Sequence, residues 1–128
     1  MNPRARAFGV GRATFSGAVR AGDYLFVSGM TATDGKRQIV GTDIATQARC
    51  IYQKMGAVLA EAGASLDDVV QTTDYVTTLD GYGETAAVRR EVFGDGPFPA
   101  ATGVVVAGLI RPGALIEISA VAWVGGHP

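Results

Sequence analysis

A carboxylate inside an apolar strand is the first residue in this chain that could do chemistry. In the run LIEISAVAW, residues 115–123, a period of two sets Ile116, Ile118, Ala120 and Ala122 on one face and Leu115, Glu117, Ser119, Val121 and Trp123 on the other. Both faces are mainly apolar, the mark of a strand covered on both sides. A glutamate in that setting must find partners, pick up a proton or serve a purpose. Other chemistries lack their residues. Cys50 is the only cysteine, so no disulfide closes within the chain, and its place beside apolar helix positions reads as a buried thiol rather than a nucleophile. His127 is the only histidine and stands next to last, so neither a histidine-based metal site nor a Ser-His or Cys-His pair can be assembled.

The length of 128 residues predicts one domain spanning 1–128, large enough to bury a core without metal or disulfide support. Its 18 glycines point to many turns and close backbone contacts. Eleven basic residues face 12 acidic ones, and the only basic clusters are RAR at 4–6 and Arg89-Arg90, so no nucleic-acid footprint is expected. The two arginines late in a helix suit its dipole. No apolar run reaches the length of a membrane span and the first 19 residues lack a signal-peptide core, which predicts no membrane partner and a cytoplasmic location.

The elements that must position Glu117 follow from pattern. TFSGAV and DYLFVSGM read as strands joined by the turn RAGD. Thr42 or Asp43 caps a helix whose apolar positions are Ile44, Ala48, Ile51, Met55, Val58 or Leu59, and Ala62, with Gly63 as a left-handed stop. SLDD leads into the β-branched strand VVQTTDYVTTL, and a shorter helix follows with Tyr82, Ala86 and Val92 or Phe93 turned inward. FPAATGVVVAGL and GALIEISAVAW are the last strands, separated by the IRPG turn. The order β-β-α-β-α-β-β predicts an α+β fold, a mixed sheet with two helices on one face. The second face then exposes Leu115, Val121 and Trp123, and so broad an apolar patch predicts association into a closed ring of identical subunits.

With that element order, the segments AGDYLFVSGM, GASLDDVV, VTTLDGYG and FPAATGVVVAGL…LIEISAVAW together resemble the Rid superfamily of reactive intermediate deaminases, over nearly the whole chain. The resemblance implies a chorismate-mutase-like fold, a homotrimer with a central barrel, and ligand clefts between neighbouring subunits. It also implies hydrolysis of a reactive imine or enamine to a carbonyl compound and ammonia, with neither metal nor cofactor. In the family Glu117 would orient or deprotonate the attacking water, or pass a proton to the leaving amine, help worth about 10²–10⁴ in rate. A structural reading stands beside it, in which Glu117 accepts backbone hydrogen bonds across the subunit boundary.

Several positions depart from the family pattern. The arginine that grips a substrate carboxylate is replaced by Ala101, so plain α-imino acids are expected to bind poorly. Phe15 stands for tyrosine, Met30 for glutamine, Asp80 for asparagine and Gly103 for cysteine. Arg111 in the IRPG turn could take over the missing arginine's duty, and Asp80 could share the acid and base roles with Glu117, although turn arginines are commonly solvated and Asp80 also suits a turn. Thr102 and Ser28 are candidate hydroxyl contacts or strand-end packing, while Tyr82 and Trp123 read as core or interface aromatics. Three functional readings remain: a C=N hydrolase with an uncharged or differently anchored substrate, a trimeric small-molecule binding or regulatory protein that has lost turnover, and a pathway enzyme using the cleft for another reaction. RNA cleavage, also linked to the family, ranks last because the net charge is −1 with no basic stripe.

Overall fold

The long central strand that carries Glu117 lies between two antiparallel neighbours, and the rest of the molecule is arranged around it. In the computed structural model, which describes residues 1–9 and 13–126, the elements are β1 (Arg6–Phe8), β2 (Ala18–Ala21), β3 (Tyr24–Met30), α1 (Ile44–Glu61), β4 (Val69–Val76), α2 (Thr85–Phe93), β5 (Ala100–Val105) and β6 (Ile116–Trp123). The six strands form one mixed sheet in the order β1-β2-β3-β6-β4-β5, with β4 and β5 parallel and every other pair antiparallel. His127 lies outside the described residues.

The α+β architecture with both helices over one face matches the sequence pattern, with three differences. β1 is an added edge strand, too short to produce a periodic signal, so the order begins with three strands rather than two. The TFSGAV strand begins later, at Ala18, and pairs with β3 through a two-residue turn in which Gly22 takes φ +60, a value that favours glycine. The last two strands are not neighbours: β4 lies between β5 and β6, so residues 106–115 cross over it. Although β5 and β6 run in opposite directions, β4 separates them, so a tight hairpin cannot join them and the longer connection is required.

The core lies between the sheet and the helices. Ile44, Ala48, Ile51, Met55 and Leu59 of α1 are buried, and Asp43 is the cap, its carboxylate accepting from the Thr46 amide at 2.8 Å. They meet Ile116, Ile118, Ala120 and Ala122 of β6 and Leu25 and Val27 of β3. The inner side of α2 is Thr85 and Val88, and Ala86 is exposed, contrary to its predicted inward position, because the helix begins only at Thr85 after a 3-10 turn over Tyr82–Glu84 that shifts the phase.

One buried polar residue of α1 holds the crossing loop. Gln47, 0% exposed, donates through Nε2 to the carbonyls of Gly41 (3.1 Å) and Gly113 (3.2 Å), and its Oε1 accepts from the Leu115 amide (2.8 Å). Gln47→Leu keeps the volume but strands these backbone groups, so it should cost about 1–3 kcal/mol in chemical denaturation and speed hydrogen exchange at the Leu115 amide. Unchanged exchange there would show that the clasp does not hold.

Candidate functional site

Period-two alternation along β6 puts Ile116 and Ile118 under the helices and turns Glu117 to the opposite, open face. Its cross-strand partner on β4 is Tyr75, and on its other side it lies over Gly29, at the end of β3 where the ladder shifts register between Val27 and Met30. A Cβ at Gly29 would overlap the Glu117 carboxylate, so the bare glycine backbone makes the space that the carboxylate occupies. Glu117 is half-buried, and its carboxylate has no hydrogen-bond or ion-pair partner among the described residues.

Two adjoining cavities meet at this point. One, of about 330 Å³, is lined by Phe15, Gly29, Thr31, Ile110, Arg111 and Glu117. The other, of about 350 Å³, shares Phe15, Gly29, Thr31 and Arg111 and adds Ser28, Arg37 and Lys54 among its walls. The structure therefore brings together Glu117, Phe15, Ser28 and Arg111. Ser28 is committed to packing the loop before β2, its hydroxyl donating to the Ser16 carbonyl at 2.6 Å and its amide to the Gly17 carbonyl at 2.9 Å. Met30 lines the second cavity only. A further cavity, of about 460 Å³, lies apart at Asn2, Arg4, Ala5, Ala21 and Gly22.

Asp80, Ala101 and Thr102 stand elsewhere in the single chain. Asp80 is exposed in the turn after β4, where its amide donates to the Thr78 hydroxyl at 3.1 Å. Ala101 and Gly103 pair with Thr72 and Asp74, both buried beneath the helices, so they belong to the helix side of the edge strand. Thr102 pairs with Thr73, itself opposite Ser119, and so shares the open face with Glu117. Glu117 and Ala101 thus sit on opposite faces of one sheet. Trp123 is 50% exposed on the open face beside Tyr24, its partner on β3.

Pattern reading missed two groups of residues. No local pattern in the sequence singles out Lys54 or Arg37, yet both line the cavity. The Lys54 ammonium donates to the Thr31 carbonyl (2.8 Å) and the Thr33 hydroxyl (2.6 Å), and burial, with nearby Arg111 adding to it, holds its pKa below the usual lysine value. The second group is a buried polar cluster. Asp74 accepts from the Tyr82 hydroxyl at 2.9 Å and from Arg89 at 3.1 Å, while Arg89 also reaches the Thr72 hydroxyl at 3.2 Å. Arg89 therefore pairs with a buried carboxylate instead of merely serving the helix dipole. Gly103 is part of the arrangement, because a Cβ there would overlap the Tyr82 hydroxyl. Burial and then the Asp74 contact push the Tyr82 phenol up, and burial pushes Tyr52, whose ring meets Phe93 edge-on at 5.6 Å, up to about 12. Cys50 is partly buried against the core. Among the described residues no group of three or more His, Cys, Asp or Glu could hold a metal, and no helix is long and apolar enough to cross a membrane.

Comparison with known proteins fits this geometry. The endoribonuclease L-PSP family model matches residues 9–124. A RutC family protein of Pyrococcus horikoshii is 36% identical over 110 residues, covering 85% of this chain and 86% of its own. A Mycobacterium tuberculosis member of the YjgF/YER057c/UK114 family is 39% identical with a TM-score of 0.74, covering 86% of each chain. A Rid family protein of unknown function from Yersinia pestis superposes with a TM-score of 0.86 at 27% identity, over 94% of this chain and 99% of that one. With the family model matching residues 9–124 and a relative 36% identical over 85% of the chain's length, the chain belongs to the Rid, or endoribonuclease L-PSP, family.

Proposed function

We propose that the protein hydrolyses a reactive imine or enamine, with Glu117 as the acid–base group, in clefts formed between the subunits of a homotrimer. The observation that carries this reading is the half-buried Glu117 carboxylate, without a partner among the described residues, on the wall of a cavity. Hydrolysis adds water across C=N: Glu117 takes a proton from water as the oxygen bonds to carbon and passes it to the nitrogen, giving a carbinolamine; on collapse Glu117 takes the hydroxyl proton as C=O forms and delivers it to the nitrogen, which leaves as ammonia. Imines generated in situ by amino-acid oxidases, one series carboxylated and one with the carboxylate neutralised, test the reaction directly. Acceleration is expected in at least one series, and acceleration in neither would overturn it. A trimeric binding protein without turnover is the second reading, favoured by the bare methyl of Ala101 where the resemblance places a carboxylate-gripping arginine.

Assembly is supported by the open face, where Phe26 and Trp123 are each 50% exposed and Tyr24 and Val104 are nearly as exposed. Glu117 and Ala101 lie on opposite faces, so a cleft using both needs two copies. The native protein is expected to sediment at three times the 13.2 kDa chain mass, and Phe26→Asp, which places a charge in the middle of this face, at the chain mass itself. Equal sedimentation of the two would remove the open face as the interface.

A further inference from the structure

The two cavities beside Glu117 differ in charge. Glu117 lines one of them, Lys54 and Arg37 line the other, and Arg111 stands between, lining both. No acidic residue is among the described residues lining the Lys54 cavity, so its wall is cationic on three sides: α1 through Lys54, the loop after β3 through Arg37, and the crossing loop through Arg111.

The cations are held as a site would hold them. Lys54 projects from the middle of a long helix, and two of its three protons are spent on Thr31 and Thr33, leaving one for a third acceptor. Arg37 has φ 62, the one non-glycine residue in the left-handed region among those described. Asn or glycine would fit there at less cost, and backbone strain of this kind concentrates at ligand clamps. The loop that imposes it is tightly tied: the Asp34 carboxylate accepts from the Lys36 and Gln38 amides at 2.8 and 3.0 Å, and Thr33 bridges to Ile39. Neither Arg37 nor Arg111 forms an ion pair among the described residues, so both guanidinium groups are available to an anion.

We propose that the Lys54–Arg37–Arg111 cavity receives an oxyanion of the substrate, a carboxylate or phosphate set apart from the C=N carbon that Glu117 serves. The inference rests on the hydrolase reading for the reaction, and on geometry alone for the anion. It makes the substrate an acidic imine whose charge is carried at a distance, in place of the α-carboxylate that Ala101 can no longer hold.

Calorimetric titration with glutarate and with inorganic phosphate, on the native trimer and on Lys54→Met and Arg37→Asn, tests the anion site without turnover. Arg37→Asn removes the charge and suits the backbone, so it folds even if Lys54→Met does not. Each variant is expected to bind about 10-fold or more weakly, the loss that accompanies one charged hydrogen bond. Tighter glutarate than phosphate would point to a carboxylated substrate, and the reverse to a phosphorylated one. In parallel, Lys54→Met should raise KM about 10-fold for the imine of glutamate, leave kcat within about two-fold, and leave the imine of leucine unaffected. Binding that depends on Lys54 with no imine hydrolysed would sink the hydrolase reading and keep the anion site. Hydrolysis with neither anion bound, or bound equally by native and variants, would sink the anion site and keep the hydrolase.

Discussion

Glu117→Gln is expected to lower the rate of imine hydrolysis by about 10²–10⁴ while leaving the fold and the assembly unchanged. Glutamine keeps the shape over Gly29 but can neither take a proton from water nor return one to the departing amine. Its structural cost is small because the Glu117 carboxylate makes no hydrogen bond within the described chain, so nothing there loses a partner. The measurement is kcat/KM on the better of the two imine series, with sedimentation run on the same samples. A variant that keeps full activity would assign the chemistry elsewhere, and one that falls apart into single chains would make Glu117 a bond between subunits, the structural reading the sequence also allowed.

Arg89→Met is expected to be the most destabilising single change in the buried polar cluster. The Asp74 side chain is 2% exposed and Arg89 18%. Removing the cation leaves the carboxylate, among the described residues, with the Tyr82 hydroxyl alone, and an uncompensated buried charge of this kind costs about 3–5 kcal/mol. For a chain of this size that lowers Tm by roughly 10–20 °C. Replacing both partners, Asp74→Val with Arg89→Met, should recover most of the loss, since apolar residues of similar volume commonly match a buried ion pair. Scanning calorimetry of the two variants decides it: a single variant within about 1 kcal/mol of native would mean that Tyr82 or water supports Asp74 without Arg89.

What could be read from sequence follows the range of the interactions involved. The inner stripe of α1 and the alternation of β6 are written in neighbouring residues, three or four apart on the helix and two apart on the strand, and both appear in the structure as expected. β5 shows the limit. Its run AATGVV has the composition of a buried strand, yet all six residues are exposed in the single chain, because it is the edge of the sheet and lies beyond the helices. The Asp74–Arg89 pair was hidden because its partners are 15 residues apart on different elements, and Lys54 because its acceptors lie 23 and 21 residues earlier. Glu117 was legible since a charge among apolar neighbours violates a local rule, whereas a lysine on a polar helix position violates none.

The clasp made by Gln47 also divides the crossing loop mechanically. It grips the chain at Gly113 and Leu115, after Arg111 and before Glu117. Arg111 therefore lies on one side of the clasp, joined to it by its carbonyl, which accepts from the Ala114 amide at 3.1 Å, and Glu117 lies on the other. On the proposed reading, the clasp separates the residue that would meet the anion from the residue that would move the proton, so a variant that resets the reach of Arg111 should leave the position of the Glu117 carboxylate unchanged.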